Sequence, residues 1–239
     1  MSGKRIVLLH GWGASTQKLE PLKRELEKLG WQVILPKLAG FESSAPKEVW
    51  GVKEYSNFVR EEAVKVFGKK GFFVFGHSFG GGVAIKLGVG NLKNLQGIIL
   101  CATRGISRGK SVKRLLFATL AKTGKLLLIT PSLANSFRKL LYKAAQEHDY
   151  EKTQGIMREI FKKVISEDLK PLVAKIKTPV LILWGEMDRV TPIKDAYFIK
   201  SKVINGKLVT FNAQGHRLPY EKPRELAKEI DIWQTLTHS

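Results

Sequence analysis

The feature that most constrains the fold of this chain is a set of six short apolar runs, each bounded by Gly, Pro or charged residues. The runs occupy residues 6–9, 33–35, 72–75, 98–100, 180–184 and 208–211. Most are continuous rather than alternating, which is typical of strands buried on both faces of a sheet. Patterns with helical spacing lie between and after them, among others around residues 19–29, 55–66 and 223–233. We therefore predict an α/β fold, a mostly parallel sheet of about six strands with helices on both faces.

Residues 103–178 break this alternation, because helical patterns follow one another there without a clear strand. We predict that this segment is a helical cap, or lid, inserted between two strands of the sheet. The core is then formed by residues 1–102 and 179–239. A chain of 239 residues is long enough to bury one core of this kind.

The composition excludes several other classes of protein. Hydrophobic residues make up 44% of the chain and charged residues 26%, so a disordered or collagen-like chain is not expected. The single cysteine, Cys101, cannot form an internal disulfide and is predicted to be a small core residue. No apolar run is long enough for a signal peptide or a transmembrane segment. We therefore expect a cytoplasmic protein.

The motif that carries the most chemistry is Gly76-His77-Ser78-Phe79-Gly80. It directly follows a predicted strand and precedes a helical run, which is the context of a nucleophile elbow. Glycines at both ends allow a tight turn that holds Ser78 in a strained conformation above the sheet. The sequence predicts Ser78 as a nucleophile, and the alternative is a Gly-rich turn that binds phosphate at a helix N-terminus.

A serine hydroxyl is a weak nucleophile unless a histidine accepts its proton and an acid orients that histidine. Both residue types follow predicted strands further along the chain, where α/β folds place catalytic groups. Asp188 lies in the loop after the strand at 180–184, and His216 lies in the loop after the strand at 208–211. We predict Asp188 as the acid and His216 as the base. Glu186, two residues closer to its strand, stays an alternative acid.

Backbone N–H groups are also needed to stabilise the developing oxyanion of an acyl transfer. One is expected from Phe79, which follows the nucleophile, and the other from Trp12, after the first strand. His10 ends that strand and is predicted to hydrogen-bond its own loop. The remaining histidines follow no late strand and are given no role; they are His77, His148 and His238. The side chain of His77 is expected to point away from that of Ser78.

Metal and cofactor sites are not expected. No cluster of His, Cys and carboxylates has ligand spacing, and no G-x-G-x-x-G fingerprint occurs. The sequence therefore predicts chemistry without a metal ion or an organic cofactor.

Three motifs in register resemble the α/β-hydrolase superfamily over nearly the whole chain. They are His10-Gly11-Trp12, the motif from Gly76 to Gly80, and Trp184-Gly185…Asp188…Pro192 together with Gly215-His216. The resemblance implies Ser78 as nucleophile, His216 as base and Asp188 as its orienting acid. It also implies that the amides of Trp12 and Phe79 bind the oxyanion.

The chain departs from the superfamily pattern at two places. Members commonly have two further strands before the strand that ends in His-Gly, so the resemblance implies a smaller sheet of about six strands. Members also often carry Asp-Leu-Pro-Gly-Phe-Gly-x-Ser after the second strand found here. This chain has Lys37-Leu38-Ala39-Gly40-Phe41-Glu42-Ser43-Ser44 instead.

The superfamily includes many hydrolases, so the fold alone does not give the substrate. Related epoxide hydrolases and dehalogenases carry an aspartate in place of Ser78, and iminopeptidases generally need acidic cap residues; neither pattern suits this sequence. We predict a serine esterase that cleaves carboxylic esters through an acyl-enzyme. A thioesterase or an acyl-carrier-protein methyl ester esterase is an alternative. An alternative of another class is a catalytically silent basic binding protein on a hydrolase fold.

The charge is concentrated in the predicted cap. The chain has a net charge of +20, and ten basic residues but no acidic residue lie between residues 104 and 143. Apolar residues recur there at helical spacing, which predicts basic amphipathic helices. The charges are either simply solvated or bind an anionic partner. Resemblance to pimeloyl-carrier methyl esterases through His10-Gly11-Trp12-Gly13 suggests an acyl carrier protein, and an anionic lipid surface is the other candidate. No specific nucleic-acid partner is expected.

Overall fold

The computed structural model describes residues 3–90, 92–106 and 155–238. The strands within these ranges are β1 Arg5–Leu9, β2 Gln32–Ile34, β3 Phe72–His77, β4 Leu95–Cys101, β5 Val180–Gly185 and β6 Gly206–Phe211. The helices, numbered along the same residues, are α1 Glu20–Lys28, α2 Val52–Phe67, α3 Phe79–Val89, α4 Gly155–Ser166, α5 Lys170–Val173, α6 Lys194–Lys202, α7 Leu218–Glu221 and α8 Pro223–His238. A short 3₁₀ helix, Thr16–Leu19, precedes α1.

The six strands form one sheet in the order β2-β1-β3-β4-β5-β6, and every neighbouring pair is parallel. The prediction of a mostly parallel six-stranded sheet is confirmed for the described residues. The chain adds β2 on one side of β1 and then crosses to add β3 on the other side. Such a switch point leaves a crevice at the carboxyl ends of the two strands, where α/β proteins bind their ligands.

Each face of the sheet is buried beneath helices. Alternate residues of β1 point to opposite faces, so Val7 and Leu9 belong to one apolar cluster and Ile6 and Leu8 to the other. Helices α2, α3, α5 and α6 cover the first face, and α1 and α8 cover the second. Burial on both faces explains why the strands appear in the sequence as continuous apolar runs.

The helices predicted around residues 19–29, 55–66 and 223–233 are present, with shifted ends. The last one runs further than its apolar pattern indicates, as far as His238. Cys101 is a buried free thiol in β4, as predicted for a small core residue. Within residues 3–90, 92–106 and 155–238, none of the helices has both the length and the apolar character needed to cross a bilayer.

Most of the predicted cap lies outside the described residues. Only α4 and α5, with their flanking residues, represent it here. The indole of Trp12 and the ring of Phe161 on α4 have centroids 5.0 Å apart, so α4 lies against the loop after β1. The division into core and cap, and the basic amphipathic character of the cap, stay predictions.

Candidate active site

Ser78 lies at a sharp turn between β3 and α3. Its backbone has φ 53° and ψ −110°, a left-handed conformation that a non-glycine residue adopts only when its surroundings impose it. The surroundings here are two close backbone approaches. A Cβ at Gly76 would lie 2.2 Å from the carbonyl oxygen of Gly80, and a Cβ at Gly80 would lie 2.6 Å from the carbonyl oxygen of Leu9. The two glycines therefore allow the strand and the helix to hold Ser78 in this turn.

The structure brings Ser78, His216 and Asp188 into one chain of hydrogen bonds. The Nε2 atom of His216 lies 3.1 Å from the Ser78 Oγ, and its Nδ1 atom lies 2.8 Å from the Asp188 Oδ2. The carboxylate accepts only, so Nδ1 carries the proton and Nε2 presents a lone pair to the serine hydroxyl. The side chain of Asp188 is fully buried, whereas that of His216 is 20% exposed.

The loop after β5 fixes the Asp188 carboxylate. Its Oδ1 accepts hydrogen bonds from the backbone amides of Val190 and Thr191, both at 2.8 Å. The Thr191 hydroxyl lies 2.7 Å from Oδ2, and the Trp184 indole donates to the Thr191 carbonyl at 2.8 Å. Burial by itself raises the pKa of Asp188, but the hydrogen bonds from His216 and Thr191 outweigh it and hold the pKa below 3.8. The carboxylate is therefore ionised at neutral pH.

Glu186, the alternative acid, lies elsewhere. Its carboxylate accepts a hydrogen bond of 2.8 Å from the Thr210 hydroxyl, and its side chain is exposed to solvent. Residues 186 and 188 follow the same strand, but the turn that follows β5 directs only Asp188 toward His216.

The two predicted oxyanion donors belong to segments that are in contact. The Trp12 indole and the Phe79 ring are 5.4 Å apart, centroid to centroid, in an edge-to-face arrangement. Phe79 is the first residue of α3, so its amide has no acceptor within the helix. Within the described part of the chain, neither amide donates a hydrogen bond to another residue. The binding of an oxyanion by these two amides stays a prediction.

Aromatic side chains surround this corner of the site. The Trp12 indole also contacts Phe41, with ring centroids 4.9 Å apart, and Phe161 of α4. Tyr55 of α2 packs edge-to-face on Phe79, with centroids 5.0 Å apart. The side of the nucleophile that adjoins the predicted oxyanion donors is thus apolar.

The loop that departs from the superfamily pattern is tied to the loop after β1. The Glu42 carboxylate accepts hydrogen bonds from the Thr16 amide, at 2.6 Å, and from the Thr16 hydroxyl, at 2.9 Å. Its Oε2 also lies 3.8 Å from the Nε2 of His10. As predicted, His10 bonds within its own loop, because its Nδ1 lies 2.8 Å from the Gly11 carbonyl oxygen.

Three residues at the site were given no role by the sequence. Thr191 contacts both Asp188 and His216, whereas His77 and Tyr220 lie beneath the turn that carries His216. A Thr three residues after the acid is a weak local signal for the first. The other two could not be recognised from sequence, because 143 residues separate them. His148 lies outside the described residues.

Comparison with known proteins identifies the family of the chain. The family model described as Hydrolase_4, "Serine aminopeptidase, S33", matches residues 2–223. The chain is 22% identical to Lipase 1 of Psychrobacter immobilis over 250 residues, which cover 99% of this chain and 78% of the lipase. It is 27% identical to the AB hydrolase superfamily protein YisY of Bacillus subtilis over 247 residues, covering 94% and 89% of the two chains.

A solved structure of similar fold is the thermophilic esterase from Thermogutta terrifontis, with a TM-score of 0.74 and 21% identity. The match covers 100% of this chain and 92% of the esterase. At that identity the likeness concerns the fold. Because the family model matches residues 2–223, which is nearly the whole chain, the protein belongs to the Hydrolase_4 family of α/β-hydrolases.

Proposed function

We propose that this protein is a serine esterase that hydrolyses carboxylic esters through an acyl-enzyme. The observation that carries the proposal is the continuous hydrogen-bonded chain from Ser78 through His216 to a buried, ionised Asp188. The similarity to a lipase and to an esterase supports the choice of an ester substrate.

In the proposed reaction the Ser78 Oγ attacks the ester carbonyl carbon while its proton passes to the Nε2 of His216. The imidazolium that forms is stabilised by Asp188, and the oxyanion is held by the amides of Trp12 and Phe79. The carbon–oxygen bond to the alcohol then breaks as His216 returns the proton to the leaving oxygen. Water, deprotonated by His216, attacks the acyl-enzyme, and the acid is released with Ser78 restored.

The apolar surroundings favour an acyl group with an apolar chain or ring. The aromatic rings of Trp12, Phe41, Phe79 and Phe161 lie together on the side of the predicted oxyanion donors. An apolar acyl group buried there gains about 25 cal/mol for each Å² removed from water. A charged acyl group would lose its hydration without an ionic partner among these rings.

Labelling with a fluorophosphonate probe tests the mechanism. The wild-type protein is expected to form one covalent adduct at Ser78, and Ser78→Ala is expected to form none while keeping its fold. In ester hydrolysis the same substitution should lower kcat by about 10⁴–10⁶. Retention of more than a tenth of the activity would contradict the assignment. A folded wild-type protein that forms no adduct would instead support the catalytically silent binding protein.

A panel of matched substrates separates the remaining alternatives. It pairs oxygen esters of rising acyl length with the corresponding thioesters, carrier-bound methyl esters and aminoacyl amides. We expect the highest kcat/KM for oxygen esters, because an alcohol leaves more readily than an amine. A preference for thioesters or for carrier-bound methyl esters would favour those alternatives. A preference for amides with a free amino group would fit the description of the family instead.

We further propose that the basic segment between residues 104 and 143 binds an anionic partner that presents the ester, either an acyl carrier protein or an anionic lipid surface. Because exposed charges are screened beyond about 8–10 Å, kcat/KM for a carrier-bound or vesicle-bound ester should fall steeply from low to physiological salt. A neutral ester in solution should be barely affected. The difference in salt dependence between the two kinds of ester should disappear when four basic residues are replaced together by Gln, namely Lys113, Arg114, Arg138 and Lys139.

A matched variant controls for the change in net charge. It replaces four exposed lysines of the core by Gln, namely Lys53, Lys69, Lys70 and Lys228. The same loss in both variants, or equal salt dependence for all substrates, would leave the basic segment as a solvated surface.

A further inference from the structure

We propose that His77 is a positioning residue that holds the turn carrying His216 at a fixed distance from Ser78, with Tyr220 as its second point of attachment. The inference rests on the proposed function, since it assigns His77 a role in the proton transfer between Ser78 and His216. The observations that carry the inference are the contacts of the His77 ring with His216 and Tyr220.

His77 contacts the turn at two points. Its Nε2 lies 2.8 Å from the backbone carbonyl oxygen of His216, and its Nδ1 lies 3.1 Å from the Tyr220 hydroxyl. Tyr220 belongs to α7, which begins two residues after His216. The His77 and His216 rings also pack at 4.9 Å between centroids. The side chain of His77 therefore contacts both the backbone of His216 and the helix that follows it.

The hydrogen bonds fix the protonation of His77. A carbonyl oxygen only accepts, so the Nε2 of His77 must carry the proton that it donates to His216. Burial, together with the neighbouring His216, lowers the pKa of His77 to about 3, so the ring is neutral and its Nδ1 has a lone pair. The Tyr220 hydroxyl therefore donates to Nδ1. Burial raises the pKa of Tyr220 to about 12, which keeps this proton on the phenol at neutral pH.

The position of His77 in the chain explains why this contact bears on the reaction. His77 is the last residue of β3, is buried, and is joined to Ser78 by one peptide bond. A hydrogen bond from His77 to the His216 backbone thus fixes the position of the base relative to the nucleophile. The loop after β1 closes on the same pair, because a Cβ at Gly11 would lie 3.1 Å from the His77 Nδ1 and 3.3 Å from the Ser78 Cβ.

Among the described residues, the His216 carbonyl accepts from His77 alone, whereas the neighbouring carbonyls of Gly215 and Arg217 accept within the turn. Loss of the His77 donor would remove this hydrogen bond between the turn and β3. A misplacement of about 1 Å between reacting groups costs on the order of 10²-fold in rate. The contact is therefore expected to affect kcat rather than substrate binding.

Two nearly isosteric substitutions at His77 test the proposal. The side-chain amide nitrogen of Gln reaches the place of the imidazole Nε2, whereas the shorter Asn reaches only the place of Nδ1. His77→Gln should keep the donor to His216 and lower kcat by less than about tenfold, while His77→Asn should lower it by about 10². KM should be unchanged in both. Tyr220→Phe removes the second attachment, which His77→Gln also loses, and should lower kcat by a similar factor of about two- to tenfold.

Several outcomes would overturn the proposal. Equal kcat for folded His77→Gln and His77→Asn would show that the donor to His216 does not position the base. A loss confined to KM would do the same. If His77→Asn does not fold, the test is the kcat of Tyr220→Phe relative to wild type. An unchanged kcat in that variant rejects the positioning role of His77.

The proposed function fails separately. If the wild-type protein hydrolyses no ester and forms no adduct at Ser78, the esterase assignment falls. The attachment of His77 to His216 and Tyr220 is then tested without substrate, from the ¹⁵N imidazole spectrum. A protonated Nε2 and an unprotonated Nδ1 on His77, with the Nδ1 resonance shifted in Tyr220→Phe, support this attachment, and a mixture of tautomers in the wild-type protein rejects it.

Discussion

At the scale of single residues, the site depends on which carboxylate meets His216. Two acidic side chains follow β5, and they are only two positions apart. The carboxylate of Asp188 is buried and accepts hydrogen bonds from two backbone amides, from the Thr191 hydroxyl and from the His216 ring. The side chain of Glu186 is exposed and accepts a hydrogen bond from the Thr210 hydroxyl. A buried carboxylate with these partners remains ionised and can stabilise an imidazolium.

Asp188→Asn should therefore lower kcat for ester hydrolysis by about 10⁴, because the amide favours the wrong tautomer of His216 and carries no charge. Glu186→Gln is the matched control, since it neutralises an acid of the same loop that has no contact with the base. Its kcat should stay within a few-fold of wild type. Steady-state kinetics on one ester checks both, and a reversed order would make Glu186 the acid.

At the scale of elements, the turn between β3 and α3 is held by backbone atoms that approach too closely for side chains. A Cβ at Gly76 would lie 2.2 Å from the Gly80 carbonyl oxygen, a distance that side-chain flexibility cannot relieve. Gly215, beside the predicted base, differs. Apart from its chain neighbours, the nearest described atom to a Cβ there is the Met187 carbonyl oxygen, at 3.9 Å.

Gly76→Ala should accordingly destabilise the protein by about 3 kcal/mol, through a forced separation of β3 and α3. Gly215→Ala should change the free energy of unfolding by less than about 1 kcal/mol. Urea unfolding followed by circular dichroism gives both values. Equal stability of the two variants would mean that the elbow is less closely packed than these distances indicate.

The same elements show how far local pattern carries. The six strands and the helices after them were predicted from continuous apolar runs and helical spacing. Both patterns can be recognised within one segment, because the spacing of its apolar residues follows the period of its secondary structure. The ends were less accurate. β4 begins at Leu95, three residues before its predicted start, and α8 extends to His238, since pairing and packing with other elements set those ends.

At the scale of the whole molecule, the buried His77 makes stability depend on pH. Its pKa is about 3 in the folded protein, against 6.5 for an exposed histidine. Between these values the unfolded chain binds a proton that the folded protein does not, so stability falls as the pH drops from 6.5 toward 3. Asp188 contributes in a lower range, because its pKa is depressed below 3.8.

His77→Gln should reduce this acid sensitivity, because Gln does not titrate. Between about pH 7 and about pH 4.5 the loss in the free energy of unfolding should be smaller in the variant by about 2–3 kcal/mol. Urea unfolding at the two pH values measures it. Parallel losses in wild type and variant would show that His77 is protonated with little penalty in the folded state.

By itself, the sequence determined the parallel sheet, the elbow at Ser78 and the loops that hold Asp188 and His216. Each is local: apolar runs report burial on both faces of a strand, glycines report a tight turn, and parallel strands place the loops after them at one edge. Only the tertiary structure decided that Asp188 rather than Glu186 faces His216, and that His77 holds the turn of His216 together with Tyr220. Those contacts join residues 28 to 143 positions apart, and their geometry follows from how the loops pack against one another.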